Sequence, residues 1–182
     1  MDNRIVNGYP PKRRPWMANV KGRQSNNAEF DCGGSIINKR WILSAAHCFC
    51  PQLPCKASGK GSLELNVKPS DHLRVFIGDN QKYRMHHSDG EKFRFVPQKI
   101  IIHPLYRYET QFHDLALIKV DRDIAFSKNI MPICLPKSGR FPDTTGAVYV
   151  AGWGLLNELL PCKTTGEVRK YISNLAKTSP IC

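Results

Sequence analysis

Apolar residues along this chain come in short stretches, closed off by Gly, Pro, Asn and Asp, and seldom at the three-to-four spacing of a helix. The stretches are Trp16–Val20, Ser35–Ser44, Leu73–Ile77, Phe93–Ile102, Leu115–Val120, Met131–Leu135 and Ala147–Ala151. Many short strands separated by turn residues predict an all-β sandwich or barrel. Two segments interrupt the rhythm. Residues 51–70, rich in Pro, Gly, Ser and Lys, are expected to form a surface loop, as is the charged, His-rich stretch 84–92. No internal repeat or low-complexity tract occurs.

Composition narrows the class. Of the 182 residues, 41% are hydrophobic and 23% charged, which suits a globular chain with one sizeable core or two small ones. No apolar run reaches the length of a membrane span. Seven cysteines are many for a reducing compartment and point to disulfides and an extracellular setting. Metal binding is the competing use, but Cys48-Phe49-Cys50 and the lone Cys134, Cys162 and Cys182 lack the pair spacing of zinc ligands. A local Cys50–Cys55 bridge is expected. The odd count leaves at least one cysteine free or paired outside the chain. Met1-Asp2-Asn3-Arg4 has no apolar stretch of the kind that opens a signal peptide, and a piece of a longer secreted precursor is expected.

The formal charge of +12 is uneven: residues 1–60 hold ten Lys/Arg against three acids. Such a surplus can attract polyanions, although no basic amphipathic helix or aromatic-interleaved patch supports a dedicated site. A solvated basic surface is the plainer account, and nucleic acid is not an expected partner.

The chemistry-bearing residues lie in short motifs. Ser44-Ala45-Ala46-His47-Cys48 follows Cys32-Gly33-Gly34-Ser35 and Trp41-Ile42-Leu43. Cys48 can bridge back about sixteen residues, which would hold His47 on a stapled turn, as a general base requires. His113-Asp114 sets a carboxylate just ahead of the apolar run Leu115-Ala116-Leu117-Ile118. Alone, each has an ordinary structural explanation. Arg4-Ile5-Val6-Asn7-Gly8, Pro132-Ile133-Cys134-Leu135-Pro136 and Gly152-Trp153-Gly154 complete an ordered set.

That set resembles the chymotrypsin/trypsin family of serine proteases from Ile5 to about Cys182. The resemblance implies an all-β, trypsin-like double antiparallel β-barrel, with a complete first barrel (5–125) and a partial second (126–182), preceded by a pro-segment end (1–4). It implies a serine-type endopeptidase in which His47 is the general base and Asp114 sets its tautomer. Ser44 matches a small hydroxyl residue near that acid, and Cys32–Cys48 the disulfide of the histidine loop. Arg4–Ile5 matches the zymogen cleavage bond. Cys134 matches a cysteine that tethers an upstream pro-region, and Cys182 the first half of a later bridge; Cys162 has no counterpart.

The chain departs from the family at the nucleophile. None of its eleven serines has a Gly-x-Ser-x-Gly setting, so the chain as it stands is expected to be inactive. Two other function classes stay open: a non-catalytic homologue serving as a binding or cofactor module, and a polyanion-binding extracellular protein. No cofactor is implied. The loop after Gly78, where some relatives bind calcium, carries Lys82, Arg84, His86 and His87, which suit a hard cation poorly.

Overall fold

A computed structural model describes residues 14–23, 29–50, 62–67, 72–78, 93–136, 148–152 and 169–173. Its ten strands are β1 (Met17–Arg23), β2 (Glu29–Ile36), β3 (Trp41–Ser44), β4 (Leu63–Asn66), β5 (Arg74–Ile77), β6 (Arg94–Phe95), β7 (Pro97–Ile102), β8 (Ala116–Val120), β9 (Val148–Gly152) and β10 (Arg169–Ser173). A 3-10 turn spans Ala46–Cys48.

Eight strands form one antiparallel sheet in the order β4-β7-β8-β3-β2-β1-β5-β6. Its two ends meet because β6 and β7 are separated by Val96 alone. β6 pairs with β5 and β7 pairs with β8, so one bent strand serves both sides and curls the sheet into a barrel. The bend takes Val96 out of the ladder, yet its polar groups stay satisfied: Val96 N–H donates to Asp121 Oδ1 (3.0 Å), and the Val96 carbonyl accepts Asp121 N–H (2.9 Å). β4 is an addition at the edge, paired to β7. β9 and β10 form a separate two-stranded antiparallel sheet.

Period-two alternation builds the core. On β8, Ala116, Ile118 and Val120 are buried while Leu117 and Lys119 are half-buried. Ile42 and Ile118 are partners across β3 and β8, and Ile100 and Ile118 across β7 and β8; all three are fully buried. Val20, Val75 and Ile77 reach the same cluster. Each such side chain contributes about 1.5–3 kcal/mol of burial.

Three sequence expectations are corrected. Residues 63–66 lie in the expected 51–70 loop but form β4, their Leu63-Glu64-Leu65-Asn66 alternation pairing with Ile102 to Lys99. Glu29–Asp31 was outside the expected strands but begins β2, paired residue for residue with β1. Met131–Leu135 is not a strand; it runs extended past the end of β2, where Ile133 N–H donates to the Ile36 carbonyl (2.8 Å).

Candidate active site

The strand β3 ends at Ser44, and the chain turns at once into the 3-10 turn. Ala46, Cys48 and Phe49 are buried, so His47 is the turn's outward side chain. Ala45 is extended (φ −94°, ψ 142°), and Phe49 N–H closes the turn on the Ala46 carbonyl. The Cys32–Cys48 disulfide, Cα–Cα 6.4 Å, ties this turn to the middle of β2. Ser44, itself buried, donates from Oγ to the Gly33 carbonyl (2.9 Å), a side-chain link from the end of β3 to the same strand β2. Gly34 leaves β3 room: a Cβ there would meet Ile42 Cγ2 at 2.8 Å and the Leu43 carbonyl oxygen at 3.2 Å.

Asp114 comes from the other side, one turn before β8. Its carboxylate engages His47 twice. Oδ2 lies 2.6 Å from Nδ1, and Oδ1 accepts the His47 backbone N–H at 2.8 Å. Both side chains are about a quarter to a third exposed, 32% for His47 and 24% for Asp114. A carboxylate held at two points cannot swing freely, and with Nδ1–H donating to it the imidazole keeps Nε2 unprotonated when neutral. The Cys32 and Cys48 sulfurs and a His47 nitrogen lie within 4.8 Å of one another, a spacing that could suit a metal. Both sulfurs are consumed in the disulfide, so neither is a thiolate donor.

Within reach of the Asp114 charge lies Tyr106, 3% exposed. Burial, then the charge of Asp114, then Tyr108 and Glu109 push its phenol up to about 12. The sequence reading missed Tyr106, since a single Tyr in a turn carries no motif.

The remaining sequence-derived residues divide as follows. Arg4, Ile5, Cys55, Cys162, Cys182 and the 84–92 stretch lie outside the described residues. Cys50 is disulfide-bonded, with its mate outside the described residues. Cys134 is disulfide-bonded too, within this single chain. Its mate lies outside the described residues, so the expected tether from Cys134 to an upstream pro-region is not shown. Among the described residues no helix is long and apolar enough to cross a membrane.

Comparison with known proteins identifies the family and the fold. The family model Trypsin matches residues 5–177. The chain is 31% identical to serine protease grass of Drosophila melanogaster over 166 residues, covering 85% of this chain and 40% of that protein. It is 34% identical to mannan-binding lectin serine protease 1 of Rattus norvegicus, covering 84% of this chain and 20% of that protein. The chain thus spans less than half the length of these relatives. In fold it is similar to the solved structure of HL collagenase (TM-score 0.68, 24% identity, 92% of this chain and 62% of that one). It is similar also to that of GrC (TM-score 0.72, 20% identity, 95% and 66%). The chain belongs to the trypsin family of serine proteases, and its eight-stranded sheet is the first of that fold's two barrels.

Proposed function

We propose that this chain supplies the histidine and the acid of a Ser-His-Asp endopeptidase that acts on protein substrates outside the cell. The observation that carries the reading is the two-point grip of Asp114 on His47. In this mechanism His47 Nε2 takes the proton from a serine hydroxyl as that oxygen attacks the peptide carbonyl. It returns the proton to the leaving amine. Asp114 keeps the proton on Nδ1 throughout and stabilises the imidazolium that forms between the two steps. The disulfide and the buried 3-10 turn hold the base still, so little reorganisation accompanies proton transfer.

No serine in the 182 residues has the nucleophile's setting, so hydrolysis needs a serine from outside them, and the chain by itself is inactive. Cleavage after Arg4 is the proposed activation step, freeing an Ile5 amine. The disulfides support the extracellular setting.

The test uses the full-length, activated protease that contains this chain. Asp114→Asn is expected to lower kcat about ten-thousandfold with little change in KM, the general scale for losing the carboxylate that sets the tautomer. A loss of tenfold or less would remove Asp114 from the mechanism. Ester hydrolysis by the 182-residue chain alone, surviving repurification, would show a nucleophile within it.

A further inference from the structure

The chain between β7 and β8 approaches Asp114 through an unusual backbone. Gln111 and His113 both have positive φ, 54° and 56°, in a region side-chain-bearing residues seldom occupy. A bridge between Arg107 and Phe112 closes the loop tip. Then the His113 carbonyl accepts Leu115 N–H at 2.7 Å, folding a three-residue turn around Asp114. Asp114 is therefore aimed at His47 by the left-handed residue just before it.

Something must hold His113 there, and His103 is placed to do so. The two imidazole rings stack with centroids 4.9 Å apart and planes 6° from parallel. His103 is itself a fixed platform. Its N–H donates to the Leu115 carbonyl (3.0 Å), and its own carbonyl accepts Tyr106 N–H (3.0 Å). Its ring Nδ1 accepts Leu105 N–H (3.2 Å), which sets the ring's orientation. The residues on both sides of Asp114 are thus referred to one histidine, His113 through its ring and Leu115 through its backbone.

We propose that the stacked His103–His113 pair is a positioning device for Asp114, holding the left-handed turn that aims the carboxylate at His47. The proposal rests on the His47–Asp114 couple described above and adds what keeps that couple in register. Neither ring touches the reacting atoms.

Proton NMR on the oxidised 182-residue chain tests it without needing a nucleophile. A hydrogen bond to a carboxylate moves the His47 Nδ1 proton far downfield and slows its exchange with water. His103→Ala removes the platform, and exchange is expected to rise about tenfold. His103→Phe restores a flat ring and should return exchange to within about twofold of the parent. His113→Gly allows the left-handed turn freely but has no ring to stack; exchange should again rise about tenfold. The thermal midpoint of each variant, followed by circular dichroism, separates loss of positioning from loss of fold.

Exchange left unchanged by either His103→Ala or His113→Gly overturns the proposal. So does an equal rise in His103→Ala and His103→Phe. A parent chain with no downfield Nδ1 proton would sink the His47–Asp114 couple and the stack's role together. A normal parent proton indifferent to His103 would sink the stack alone.

Discussion

Tyr106 buries its hydroxyl with no hydrogen-bond partner among the described residues, close enough to Asp114 to feel its charge. An unpaired buried hydroxyl costs stability, and Tyr106→Phe is expected to raise the unfolding free energy by about 1 kcal/mol at pH 7. The raised phenol adds a pH signature. Below pH 10 the group is neutral in both states and contributes no slope. Between about pH 10 and 12 the unfolded chain ionises first, so stability falls by on the order of 2 kcal/mol as pH rises. Urea unfolding at several pH values checks both parts. A Phe variant that declines as steeply as the parent above pH 10 would assign the alkaline loss to other groups. His47, Asp114, Cys32 and Cys48 could be picked from the sequence because each lies in a short contiguous motif. Tyr106, His103 and His113 could not: they act across turns, through rings that meet only once β7 and β8 are paired, and no local pattern marks them.

Besides its ladders to β2 and β8, the strand–turn unit that carries His47 is held by the Cys32–Cys48 link and the Ser44 to Gly33 hydrogen bond. The disulfide closes a loop of sixteen positions, so removing it with Cys32→Ala and Cys48→Ala together is expected to cost about 3 kcal/mol. The denaturant midpoint should drop with little change in slope, and an unchanged midpoint would mean that packing alone fixes the turn. Legibility at this scale follows burial. β8 and β7 were plain in the sequence because β8 alternates Ala116, Ile118 and Val120 with its outward residues and β7 ends in three consecutive isoleucines. β2 was half hidden, since Asp31, Gly33 and Gly34 lower its apparent strand character while register with β1 imposes it. β4 was hidden by the turn-rich residues around it, and Met131–Leu135 looked like a strand although it only lies along the end of β2. In these cases tertiary pairing, which one segment's pattern cannot carry, decided the outcome.

The barrel closes through the bent strand at Val96, and the site lies where β3 ends and β8 begins. Charge contributes little to holding it. Lys99–Glu64, Arg40–Asp123 and Arg23–Glu29 are surface pairs, each worth at most about 1 kcal/mol. The core is the common support. Ile118 is fully buried and faces Ile42 on one neighbouring strand and Ile100 on the other. β3 runs straight into the His47 turn, and β8 starts two residues after Asp114. Loosening Ile118 therefore loosens both halves of the couple. Ile118→Ala leaves a cavity where strands on two sides are already pinned by their ladders, so collapse is limited and the expected cost is about 3–4 kcal/mol. Because one cluster, Ala18 to Ile130, runs through the whole barrel, this loss should appear as a single cooperative transition. Protection of the His47 Nδ1 proton should vanish at the same denaturant concentration as the far-ultraviolet circular dichroism. If the proton's protection instead disappeared well before the strands melted, the site would be a separate, weaker unit resting on the barrel, and the shared-core account would be wrong.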